Sequence, residues 1–314
     1  MLIVFGSINQ DMYFPATHLP QPGETVLCPH YETAGGGKGA NQALAAARWG
    51  AKVALVSRVG DDGTGMRLLA ELRREGVMTS GVAHSAEPTG CAIIVRDPNG
   101  ENQIVVAQGA NADVTAEQIP DDILGSGNTV LMQMEIPPEH NWDVIRRAKA
   151  RGARTILNLA PAIHVPLEIM EQLDYLIVNE IEVQQIAEKL GLKVQGNAPL
   201  IARALAAHGK LTCIVTLGPQ GAIAMTPENK MIRVSAMKLD KVEDTTGAGD
   251  AYCGTLAAAL HAGVSLPKAM KQASIAGSLA CMKKGAQASF PHLGEIEDHL
   301  DAIDDAHIED VPAS

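Results

Sequence analysis

Short apolar runs alternate with stretches of helical period almost from one end of this chain to the other. Buried strands are expected at Leu2–Phe5, Val53–Val56, Val130–Met134, Thr155–Leu157, Leu176–Val178 and Cys213–Leu217. Between them the spacing predicts helices over Ala40–Trp49, Gly65–Glu75, Glu139–Ala150, Glu182–Leu190 and Leu200–Ala207. Strands and helices of this length in alternation build right-handed βαβ units. The expectation is therefore an α/β fold with a central mostly parallel sheet flanked by helices, residues 1–314 forming a single domain. Composition agrees. Apolar residues make up 46% of the chain but aromatics only 3%, so small and aliphatic side chains must carry close helix–sheet packing.

Two regions, at about 11–34 and 89–107, break the alternation. The second holds β-type runs, Cys91–Val95 and Ile104–Val106, around the turn signal Asp97-Pro98-Asn99-Gly100. Both read as strands outside the main sheet, forming a small β-sheet lid. Such a lid carries an apolar face suited to a second copy, hence a homodimer through the lid. The acidic tail after Glu295 reads as a terminal helix followed by loose residues.

A formal net charge of −11 excludes nucleic acid as the main partner, because backbone binding needs a basic face. The five cysteines never fall in a C-x-x-C spacing, so reduced thiols are expected rather than disulfides or zinc. No segment reaches about 18 uninterrupted apolar residues, and the chain opens on a strand-like run without a basic leader. No membrane partner is expected, and a cytoplasmic protein is.

Three constellations carry chemistry. The first is Asp244-Thr245-Thr246-Gly247-Ala248-Gly249-Asp250, opening a small-residue helix over Ala251–Ala262. Glycines at a helix mouth aim backbone N–H groups at one point, where the helix field favours an anion. Asp250 in the first turn is placed to take a proton from a hydroxyl attacking phosphorus. Plain capping explains an acidic first turn, but not two glycines with Asp244 upstream. The second is Gly35-Gly36-Gly37-Lys38-Gly39-Ala40-Asn41-Gln42. Glu32 and Gly39 stand where a Walker A loop needs Gly and Ser or Thr, and no G-x-G-x-x-G follows the first strand. That stretch offers close backbone approach, with Lys38 and Asn41 as donors. The third is a set of polar residues at strand ends: Asn9, Asp11, Glu135, Asn179 and Glu182. Each alone reads as a turn or cap; together they mark the carboxyl edge of the sheet, where ligands of such folds bind.

On these residues the chain resembles the PfkB, or ribokinase, family of sugar kinases. The two glycine-rich motifs match, as does the N-x-x-E element Asn179-Glu180-Ile181-Glu182, and the likeness runs from Gly6 to Gln287. It implies an ATP-dependent kinase acting on a primary hydroxyl of a small sugar, first of all the 5-hydroxyl of ribose, with deoxyribose, fructose or a nucleoside as alternatives. It makes Asp250 the base and Gly247, Ala248 and Gly249 the anion hole, with Asn9, Asp11, Gly37, Lys38, Asn41 and Glu135 on the sugar. It lays ATP along Thr216, Gly218 and Gly221, with Asn179 and Glu182 near the phosphates and Mg²⁺. Ser274 stands near the adenine, where the family often has a histidine. It also implies a K⁺ site from Asp244, Thr246, Gly285 and Ser289, with Ala280 and Lys283 contributing carbonyl oxygens, since an ammonium cannot coordinate a cation. A nucleoside would need a stacking surface; Tyr13, Phe14 and Tyr31 are the lid's aromatics. A sugar-binding protein without catalysis would not need Asp250 beside intact glycines.

Overall fold

The computed structural model describes residues 1–192 and 197–311. In chain order the first strands are β1 (Leu2–Phe5), β2 (Asn9–Pro15), β3 (Glu32–Gly36), β4 (Val53–Gly60), β5 (Met78–Ser85), β6 (Gly90–Arg96) and β7 (Asn102–Ala107). Then come β8 (Thr129–Met132), β9 (Arg154–Asn158), β10 (Tyr175–Asn179), β11 (Thr212–Thr216), β12 (Ala222–Met225), β13 (Lys230–Val234) and β14 (His307–Asp310). The helices are α1 (Lys38–Arg48), α2 (Gly63–Arg74), α3 (Pro138–Arg151), α4 (Leu167–Met170), α5 (Glu180–Lys189), α6 (Ala198–Gly209), α7 (Ala248–His261), α8 (Leu266–Ala280) and α9 (Leu293–Glu297).

Ten strands form one sheet in the order β14-β13-β12-β11-β10-β9-β8-β1-β4-β5. Strands from β5 across to β11 run parallel; β12, β13 and β14 close that edge antiparallel. The chain leaves β1 first toward β4 and later toward β8, so the crossover direction reverses at β1. Ligand clefts of open α/β sheets form at such a reversal, outside the carboxyl ends of the strands. β1 shows why the runs had to be apolar throughout. Leu2 and Val4 face a core shared with α1, α2, α7 and α8, while Ile3 and Phe5 face one shared with α3, α5 and α6. Both faces are dry, so neither residue parity can be polar.

The other four strands make a separate sheet, β3-β2-β6-β7. β2 pairs in parallel with β6, so Asp11 lies opposite Ala92 and Tyr13 opposite Ile94. This small sheet springs from β2 and β3, immediately before α1. Its outer strand β7 is exposed along its whole length.

Two elements depart from the sequence expectation. Within the described residues the tail after Glu295 is not loose: α9 is short, and residues 307–310 return as β14 to extend the main sheet beside β13, while the last residues, 312–314, lie outside the described ones. The edge strand β5 and helix α8 carry weak signals, β5 through Ser and Gly, α8 because small side chains fill nearly every face.

Candidate active site

The site starts at the mouth of α7. Gly247 caps the helix with φ 78°. A side chain there is strained by that backbone and would also meet Ala286 and Phe290. Two residues on, Gly249 is different: a Cβ built on it meets nothing within 4 Å. The first turn of α7 therefore opens onto a bare concavity at Gly249, while the Ala248 N–H donates to the Thr245 carbonyl at 3.2 Å.

Asp250 sits at that mouth, 7% exposed, and both of its oxygens are held from α1. Asn41 donates Nδ2–H to Oδ2 at 2.9 Å, and Gln42 donates Nε2–H to Oδ1 at 2.9 Å. The two helices approach closely because Gly254 of α7 has no side chain; a Cβ there would lie 2.4 Å from the carbonyl oxygen of Gln42. Gln287 donates to Asn41 Oδ1 at 3.0 Å, so the orientation of that amide is fixed from behind.

On one side of Asp250 lies a cavity of about 130 Å³. Its walls include Lys38, Asn158, Asn179, Glu182, Thr216, Gly247, Gly249, Asp250 and Cys253. Lys38 is held above its ordinary pKa, first by Asp250 and then by Glu135 and Glu182, against the opposing effect of burial. Burial raises the carboxyl of Glu182, partly countered by the Asn179 N–H and by Lys38. Asn179 and Glu182 also form a complete capping box on α5, Asn179 Oδ1 accepting from Ile181 and Glu182, and Glu182 Oε2 accepting from Asn179. Thr216 closes the far wall from the end of β11. Gly218 and Gly221 follow in a tight turn, and Gly221 is required where a side chain would strike the Val234 carbonyl. They and Ser274 are not among the residues walling the cavity. Ser274 lies buried on α8 with no hydrogen-bond partner for its hydroxyl.

On the other side, toward the small sheet, the chain gathers Asn9, Asp11, Gly37 and Glu135. Glu135 Oε2 accepts from the Ser7 hydroxyl at 2.6 Å and the Lys38 N–H at 3.0 Å. Asn9 is fixed by Asn111, whose Nδ2–H reaches its Oδ1 at 2.7 Å. Gly37 has φ 86° and no room for a side chain against Ile8 and Asn9. Asp11 is 8% exposed, and its carboxyl is pushed up to about 7, by burial first and by Glu135 and Asp250 besides. Tyr13 donates to Asp11 Oδ2 at 3.4 Å from the same face of β2.

Behind the helix mouth, Asp244 Oδ1 accepts from the Thr246 N–H and hydroxyl, and Oδ2 from the Gly285 N–H at 3.1 Å. These hydrogen bonds outweigh burial and hold its carboxyl below the usual range. The segment Ala280–Ser289 wraps this carboxylate, with Ser289 buried and Lys283 turned outward to Glu295. A cation from the small sheet already faces it: Arg96 Nη1 lies 3.6 Å from Asp244 Oδ2.

Thus Asp250, Gly247, Gly249, Lys38, Asn41, Asn179 and Glu182 come together at one cleft, with Asn9, Asp11, Gly37 and Glu135 toward the small sheet. Sequence reasoning missed Gln133, Asn158, Asn111 and Arg96, and noted Gln42 only as the end of a motif. None stands in a pattern that signals chemistry, and each acquires its place only through long-range contact.

The chain is similar to known proteins along nearly its whole length. Residues 1–293 match the pfkB family of carbohydrate kinases. Ribokinase of Bacillus subtilis is 35% identical over 305 residues, covering 95% of this chain and 99% of that protein. Deoxyribokinase of Salmonella typhi is 30% identical, with 95% and 98% covered. The structure of Arabidopsis thaliana ribokinase complexed with ribose and ATP superposes with a TM-score of 0.85 at 32% identity, covering 95% of this chain and 98% of that one.

Proposed function

The chain belongs to the pfkB family of carbohydrate kinases and is an ATP-dependent kinase of that family; from that premise we propose that it transfers the γ-phosphoryl group of ATP to the 5-hydroxyl of D-ribose, with Asp250 as general base. The observation that carries this reading is the placement of Asp250. It is a buried carboxylate held by two amides, at a helix mouth left bare by Gly249, between a polar cavity and a lid-side group of hydroxyl-binding side chains.

In this reading Asn9, Asp11, Gly37, Lys38, Asn41 and Glu135 orient the sugar so that its hydroxymethyl oxygen lies against Asp250. Asp250 takes the proton as the oxygen–phosphorus bond forms. The N–H groups of Gly247, Ala248 and Gly249, with Lys38, receive the charge spreading over the transferred phosphoryl. ATP lies along Thr216, Gly218 and Gly221, its adenine toward Ser274. The lid excludes water that would otherwise accept the phosphoryl group.

Among the described residues no set of three or more His, Cys, Asp or Glu side chains is arranged to hold a metal. Mg²⁺ would be held largely by the nucleotide phosphates, with Asn179 and Glu182 beside it, and would supply charge neutralisation. Around Asp244, whose carboxylate is held ionised, the oxygens of Thr246 and Ser289 and the loop carbonyls of Ala280, Lys283 and Gly285 are the donors a cation would use, and Arg96, now 3.6 Å from Asp244 Oδ2, would have to give way to it. Hard oxygen donors of this kind suit K⁺, which would brace the segment behind the anion hole. A homodimer through the lid completes the proposal. The five cysteines, all free, suit the cytoplasm.

The test is ADP release with ribose, deoxyribose, fructose and adenosine as acceptors, ribose being expected to give the highest kcat/KM. Asp250→Asn should lower kcat by roughly 10²–10⁴-fold while ribose still binds by calorimetry. Near-normal turnover in that variant would remove Asp250 as the base.

A further inference from the structure

Gln133 touches none of the groups placed on sugar or nucleotide, yet it ends a chain of buried amides that leads to the base. Its Nε2–H donates to Gln42 Oε1 at 2.8 Å, and Gln42 Nε2 donates at 2.9 Å to Asp250 Oδ1 and also to Asn158 Oδ1. Gln42 and Gln133 are both fully buried. Gln133 is itself anchored through its backbone, whose carbonyl accepts from Asn141 at 2.7 Å. Its own side-chain oxygen has no hydrogen-bond partner among the described residues. That oxygen fills a slot that exists because residue 6 is glycine: a Cβ there would lie 2.0 Å from it.

We propose that Gln133 is a positioning residue that acts on Asp250 through Gln42, with Gly6 as the gap that admits it. The proposal rests on the kinase reading. A primary amide presents either its NH₂ or its oxygen to a neighbour, and only the NH₂ is compatible with the carboxylate of Asp250 and the amide oxygen of Asn158. Turned that way, Gln42 must bury its oxygen on the far side. Buried acceptors are costly unless paired, and Gln133 is the donor the structure supplies. A buried amide that leaves its own acceptor orphaned has not been placed there for its own satisfaction. The hydrogen bond it donates fixes the plane of Gln42 and, through it, the orientation of Asp250 Oδ1. Asn41, fixed from behind by Gln287, grips the other oxygen, so the base is clamped at both ends by amides whose orientations are set one step further back.

Gln133→Met keeps length and burial but removes the donor. It should lower kcat with ribose about tenfold, the scale of outer-shell substitutions, while KM for ribose and ATP stays within about twofold. The decisive comparison is the cycle with Gln42→Met. If Gln133 works through Gln42, the double variant is no slower than Gln42→Met alone. Independent, multiplying losses would overturn the proposal, as would an unchanged kcat in Gln133→Met. A measurement without substrate stands beside these. Hydrogen exchange of the Gln42 side-chain amide, followed by NMR, should be faster in Gln133→Met than in the parent, and an unchanged rate would overturn the coupling. Because that readout needs no turnover, it separates failure of this proposal from failure of the kinase reading, which would appear as absent activity in the parent protein.

Discussion

Asp11 shows how much the site asks of single residues. Its carboxyl, with an ordinary pKa of 3.8, is raised to about 7 by burial and by the neighbouring carboxylates. Between those two values the folded protein holds a proton that the unfolded chain has released, so stability falls as pH rises through that window. Asp11→Asn removes the group and should flatten this part of the profile. Thermal unfolding followed from about pH 4 to pH 8 checks it, and a variant with the same slope as the parent would show that the dependence arises elsewhere. In the sugar site proposed here, the same substitution exchanges a carboxyl for an amide beside the sugar hydroxyls. Ribose binding should weaken in the same variant.

At the scale of elements, the mouth of α7 separates stability from activity. Gly249 is helical, and a Cβ there meets nothing within 4 Å beyond its own helix and chain neighbours. Replacing a helical glycine by alanine commonly stabilises by about 0.4–1 kcal/mol. The same methyl would stand in the concavity proposed for the phosphoryl group. Gly249→Ala is therefore expected to unfold at the same or a higher temperature than the parent while losing most of its turnover, measured by calorimetry and ADP release. Undiminished turnover would place the phosphoryl group elsewhere. The strands β1, β8, β9, β10 and β11 and the glycine motifs were legible because each is a local pattern, a dry run or a turn that only glycine can make. Gln42 was legible as a position but not as a partner of Asp250, 208 residues away, and Gln133 was not legible at all. The same limit hid β14, whose sequence His307-Ile308-Glu309-Asp310 has one apolar residue and is ordered by pairing with β13. Asn179 and Glu182 mark a further boundary. Their capping box accounts for both residues, and the cavity they wall is what supports the second duty proposed for them.

For the molecule as a whole, the small sheet ends in an edge that needs a cover. β7 leaves one side unpaired and exposes Ile104, Val105 and Val106 at 55%, 67% and 49%. An edge of this kind pairs with another chain unless it is guarded by charge, proline or a bulge. Val105→Lys supplies such a guard. Light scattering should find a dimer for the parent and a monomer for the variant, and a parent that is monomeric at micromolar concentration would remove the lid interface. The helix that carries Asp250 has the opposite character, for residues 250–260 are buried without a break. Nothing in that helix can drift without disturbing neighbours on every side, whereas Ala92 and Ile94, on the face of the small sheet that carries Tyr13, are buried yet belong to neither core of the main sheet. With the acceptor site proposed here, new acceptors are most easily gained by rewriting that face, leaving the phosphoryl transfer at α7 untouched.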